Sequence, residues 1–67
     1  MRISYNKLWK MLIDKNMKKS DLKEKAGISS ASLAKLGKGD NITTDVLLRI
    51  CKVMDCRIED ILETVRD

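Results

Sequence analysis

Five pairs of apolar residues, each separated by five positions, constrain this chain more than any other feature. They are Ile3/Leu8, Met17/Leu22, Ile28/Leu33, Ile42/Leu47 and Cys56/Ile61. That separation joins the residue just before a helix N-cap to the fourth residue of the helix, where the two side chains staple the entering chain to the first turn. The rule sets N-caps at Ser4, Lys18, Ser29, Thr43 and Arg57. It predicts helices near 5–15, 19–26, 30–36, 44–54 and 58–65, with Gly27 and Gly37 as C-terminal caps.

Periodicity agrees. Tyr5, Leu8, Trp9 and Leu12 share one stripe at helical spacing. Val46, Leu47, Ile50, Cys51 and Met54 form another, and Ile58, Ile61, Leu62 and Val65 a third. Asp45 near the start of the fourth helix, and Glu59 and Asp60 near the start of the fifth, complement the helix dipoles. With no Pro, three Gly and 43% hydrophobic residues, the composition fits a packed helical chain and not a disordered one. The predicted fold is a single all-α domain over 1–67, a compact five-helix bundle.

Size and residue types exclude several functions. Sixty-seven residues make one domain near the lower limit of a metal-free, disulfide-free core, too small for a large catalytic cleft. There is no His, so Cys51 and Cys56 lack a partner for metal binding or for a Cys/His nucleophile, and both read as core. Paired carboxylates on a cleft are not evident, and Gly37-Lys38-Gly39 lacks the strand context and spacing of a phosphate-binding loop. Neither an enzyme nor a cofactor protein is expected. No stretch reaches the roughly 20 apolar residues of a membrane span, and Met1-Arg2-Ile3-Ser4 does not begin a signal peptide. A reducing, cytoplasmic location is expected.

Charge is segregated. Residues 1–39 hold ten Lys/Arg against three Asp/Glu, whereas residues 40–67 hold four against seven. A polyanion-binding face needs such a split, although lysines on exposed helices also serve solubility, and charge alone leaves both readings open.

The third helix adds chemistry. With Ser29 as its cap, Leu33 and Leu36 fall on one side, and Ser30, Ala31, Ala34, Lys35 and Lys38 on the other. Small side chains let a helix enter the DNA major groove deeply. There Lys35 can donate to guanine O6 and N7, Ala31 can touch a thymine methyl, and Ser30 can donate or accept. In the second helix, Lys18 and Lys19 crowd a positive N-terminus, an electrostatic misfit of about 0.3 to 1 kcal/mol that a bound phosphate would reverse.

Met17 through Gly39 resembles the helix-turn-helix of the phage Cro and repressor-like regulators, the xenobiotic-response-element type. Leu22, Ala26, Gly27, Ile28, Ser29, Leu33, Leu36 and Gly39 carry the match, and a looser likeness runs over the whole chain. The resemblance implies a lambda-repressor-like DNA-binding domain acting as a small transcriptional regulator, a repressor by preference, on double-stranded DNA. It implies that Ser30, Ala31 and Lys35 meet base edges, and that Lys19, Ser32 and Lys38 meet phosphates, joined by Lys18 at the same helix start. The family's usual Ser/Thr cap is Lys18 here, its usual Gln is Lys19, and Ser30 and Ala31 are shorter than its usual readers. Leu22, Ile28, Leu33, Leu36 and Trp9 read as core, and Lys10, Lys15, Lys23 and Lys25 as solvated. A homodimer on a pseudo-palindrome is expected, with Leu48, Val53, Ile61 and Val65 as candidate contacts. The competing class is a protein-interaction module of antitoxin-like or adaptor type.

Overall fold

The structure is a computed structural model that describes residues 1–66. A short strand β1 (Arg2–Ser4) leads into four helices, α1 (Asn6–Asp14), α2 (Lys19–Ala26), α3 (Ser30–Lys38) and α4 (Thr44–Met54). A 3-10 turn (Ile58–Asp60) and a second strand, β2 (Glu63–Val65), follow. The two strands pair antiparallel, with Arg2 opposite Val65, Ile3 opposite Thr64 and Ser4 opposite Glu63.

All four helices end alike. Asn16, Gly27, Gly39 and Asp55 each adopt a left-handed conformation, with φ between 52° and 73°. In each case the next residue's N–H bonds back to a carbonyl five residues earlier: Met17 to Leu12, Ile28 to Lys23, Asp40 to Lys35 and Cys56 to Cys51. This satisfies carbonyls that a helix end would otherwise leave unpaired. Met17, Ile28 and Cys56 also stand immediately before the next N-cap. One apolar residue therefore closes a helix and begins the next element, which keeps the connections to a few residues.

Four of the five expected caps are in place. The hydroxyls of Ser29 and Thr43 accept the N–H of Ser32 and Val46 at 3.1 and 3.3 Å. Lys18 and Arg57 have no acceptor to offer their helices. Instead, the carboxylates of Asp21 and Asp60, three residues on, accept the backbone N–H of Lys18 and Arg57, each at 3.0 Å. The first cap is Tyr5 and not Ser4. Ser4 belongs to β1, and its buried hydroxyl accepts the N–H of Asn6 at 3.2 Å.

The chain is not all-α, and the described residues hold four α-helices and not the expected five. Residues 58–65 form the 3-10 turn and β2 because Glu63–Val65 finds a backbone partner in Arg2–Ser4, some sixty positions away. The extended strand satisfies backbone groups that a helix of two turns would have left partly unpaired. Gly37 lies inside α3, which ends at Gly39, with φ +73°.

The centre of the core takes one large side chain from each helix and one from the segment after the 3-10 turn. Leu8 of α1, Leu22 of α2, Leu36 of α3, Ile50 of α4 and Ile61 after the 3-10 turn are its largest fully buried side chains. Burying each removes about 1.5 to 3 kcal/mol of exposed apolar surface cost. Tyr5, Leu12, Ala26, Ile28, Leu47, Cys51 and Met54 complete it. Leu33, expected in the core, is only half-buried, because α3 sinks a single residue, Leu36, below the surface. Ile61 is fully buried and so cannot be a dimer contact. Val53 also packs against the core, Val65 is half-buried, and Leu48 is 59% exposed.

Long-range polar contacts from α1 help fix how the helices sit. The Tyr5 hydroxyl donates to the Asp40 carbonyl at 3.0 Å, joining the start of α1 to the end of α3. Lys7 Nζ donates to the Glu59 carbonyl at 3.1 Å. Among the described residues, no helix is long and apolar enough to cross a membrane.

Candidate nucleic-acid interface

Helices α2 and α3 are joined by three residues, Gly27, Ile28 and Ser29. Ile28 is buried and anchors the turn from inside. Gly27 reverses the chain at φ +65°, a conformation that costs an L-residue about 1 to 2 kcal/mol. Its carbonyl accepts from Arg49 Nη1 of α4 at 3.2 Å. Arg49 also pairs through Nε with Asp45 at 3.1 Å, one helical turn earlier. α2 packs chiefly against α4, so α4 braces both α2 and the corner that aims α3.

Because Leu36 alone anchors α3 deeply, most of that helix faces outward. Ser30, Ala31, Ala34, Lys35, Gly37 and Lys38 are all exposed. At about 100° per residue they span an arc of about 160°, centred opposite Leu36. Four of the six are Ser, Ala or Gly, so an approaching surface can come close to the helix backbone. Lys35 and Lys38 extend from the same arc.

The expected phosphate contacts flank that arc. Lys18 and Lys19 are exposed at the start of α2. They are less of a misfit than the sequence implied, because Asp21 sits in the same first turn and holds the Lys18 N–H. Lys19 Nζ lies 4.4 Å from the centroid of the Trp9 ring, a cation–π contact. Trp9 is half-buried and packs against the core, as its place in the α1 stripe predicts. Ser32 is half-buried, and Ser29 donates to its hydroxyl oxygen at 3.1 Å. That bond leaves the Ser32 hydroxyl proton free to donate outward.

Sequence reasoning missed Arg49 and the role of Trp9. The Asp45/Arg49 spacing of four was readable as a helical ion pair. The bond from Arg49 to Gly27 bridges 22 positions and has no local signature.

The family model of the Cro/C1-type HTH DNA-binding domain matches residues 7–67. The chain belongs to this family. A relative from Bacillus subtilis (strain 168), the uncharacterized HTH-type transcriptional regulator YozG, is 40% identical over 55 residues. That match covers 79% of this chain and 66% of the relative, just under two thirds of its length. The crystal structure of the transcriptional regulator VanUg, form II, superposes with a TM-score of 0.95 at 50% identity. It covers 98% of this chain and 88% of that one. The Cro/C1-type assignment agrees with the helix-turn-helix located at Lys19–Lys38.

Proposed function

We propose that the protein is a small transcriptional regulator that binds double-stranded DNA, with α3 entering the major groove and α2 lying across the backbone. The observation that carries this reading is the outward arc of α3. It combines small residues with Lys35, on a helix whose only deep anchor is Leu36, inside a Cro/C1-type domain. Lys35 is the base reader, to guanine, with Ser30 and Ala31 beside it. Lys18, Lys19, Ser32 and Lys38 hold phosphates.

One module reads few bases, and short Ser30 and Ala31 limit direct readout further. A symmetric dimer on a pseudo-palindrome is the arrangement we infer, with exposed Leu48 as the leading contact and half-buried Val53 and Val65 as further candidates. The free thiols Cys51 and Cys56 fit a reducing compartment, and a duplex target fits the cytoplasm.

The test is a salt titration of duplex affinity. Three phosphate-bound lysines predict a log–log slope of about −3 per module. A flat response, or no binding at low salt, favours the protein-interaction class.

A further inference from the structure

We propose that Trp9 is a positioning residue for DNA binding. Its indole face holds the Lys19 ammonium at the start of α2, where that ammonium meets a backbone phosphate. The inference rests on the duplex-binding reading above and assigns a role that the helix-turn-helix itself does not contain.

Three observations carry it. Lys19 Nζ stands 4.4 Å from the ring centroid, well within the about 6 Å reach of a cation–π contact. The ring is half-buried and packed against the core, so it is a fixed platform, whereas Lys19 is exposed. Trp9, the ring under Lys19 at the start of α2, also lines a cleft of 150 Å³ together with Lys38 and Gly39 at the end of α3.

A lysine on an exposed helix start samples many rotamers, and ordering it on a phosphate costs conformational entropy. The ring removes that freedom before DNA arrives. An ammonium has three N–H donors, and a ring on one side leaves the others directed outward. Lys19 can then touch indole and phosphate together. With Lys19 over its face, Trp9 is not a base-stacking platform. Lys18, next to it, has its backbone N–H held by the Asp21 carboxylate.

Trp9 is the single Trp of the chain, so fluorinated tryptophans can replace it uniquely. Progressive fluorination withdraws charge from the ring face while nearly preserving its shape. Duplex affinity is measured at fixed salt with 5-fluoro-, 5,6-difluoro- and tetrafluoro-tryptophan, in the wild-type chain and in Lys19→Met. The proposal expects a stepwise loss reaching roughly two- to five-fold in the wild-type chain and a flat series in Lys19→Met. Equal losses in both chains would show that Trp9 acts only through packing and would overturn the proposal. A flat series in the wild-type chain, or a rise, would overturn it too, because a rise means that the ring holds Lys19 away from phosphate. If the unlabelled protein binds no duplex at low salt, the duplex reading fails first and takes this proposal with it. Thermal melts of each labelled protein confirm equal folding.

Discussion

Arg49 of α4 donates to the Gly27 carbonyl at 3.2 Å, tying the corner of the helix-turn-helix to a helix outside it. The same guanidinium pairs with Asp45, but both side chains are largely exposed, at 54% and 72%, so that pair contributes little. The bond to Gly27 matters more, because the Gly27 carbonyl lies at the point where α2 reverses into α3.

Arg49→Met keeps the aliphatic stem and removes both bonds. Stability should fall by about 0.5 to 1.5 kcal/mol, the net worth of such a bond. Amide hydrogen exchange at Gly27–Ser29 should rise more than in the core helices. Asp45→Asn, which weakens the ion pair and removes a favourable charge at the start of α4 but leaves the bond to Gly27, should not raise exchange at Gly27–Ser29.

The two glycines of α3 should respond oppositely to alanine. Gly37 is helical, and a Cβ there would meet nothing within 4 Å. Gly37→Ala should stabilise by about 0.5 to 1 kcal/mol through lost backbone freedom in the unfolded chain. Gly39 sits at φ +73°, where a Cβ would lie 3.4 Å from the Ile3 carbonyl oxygen. Gly39→Ala should destabilise by about 1 to 2 kcal/mol. Midpoints for a domain of this size should move by about 4 to 8 °C per kcal/mol.

These glycines also show which parts of the fold were legible. Helix starts at Lys18, Ser29, Thr43 and Arg57 could be read because staples and caps are local, set by residues a few positions apart. The end of α3 was misplaced because either glycine can close a helix, and only tertiary placement makes Gly39 the left-handed one. β2 was misread as a helix because Ile58, Ile61, Leu62 and Val65 do fall at helical spacing. The strand's real determinant is its pairing with Arg2–Ser4, which leaves no local trace. In the site, outward-facing Ser30, Ala31, Lys35 and Lys38 followed from the wheel, whereas Arg49 and the Trp9 platform depend on contacts between elements.

Burial, followed by the neighbouring Cys51 thiol, pushes the Cys56 thiol up from 9.0 to about 11. Below pH 9 the thiol is protonated in both folded and unfolded chains, and its contribution is fully present. Between pH 9 and 11 the unfolded thiol ionises first, which favours the unfolded state, so stability should fall across that window. Tyr5, raised by burial and by Asp40, adds to the same trend. Urea denaturation at pH 8 to 11 in reductant should therefore show a shallower decline in Cys56→Ser than in the wild-type chain. Identical declines would remove Cys56 as a cause.

Lys35 and Lys19 should differ on DNA. Lys35→Ala should weaken binding on the preferred site by about 1 to 3 kcal/mol, with little effect on random duplex. Lys19→Ala should weaken both alike and reduce the salt slope by about one. Equal losses on both duplexes for the two variants would make Lys35 another phosphate contact.

The central claim, that α2 and α3 form a duplex-binding face, is tested most directly by mapping backbone amide chemical shifts during titration with a short duplex at low salt. The predicted result is a set of shifts concentrated at residues 18–20 and 30–38, with any at Leu48 confined to duplexes long enough to seat a second copy. Shifts centred on Leu48–Val53, or no shifts anywhere, would contradict it.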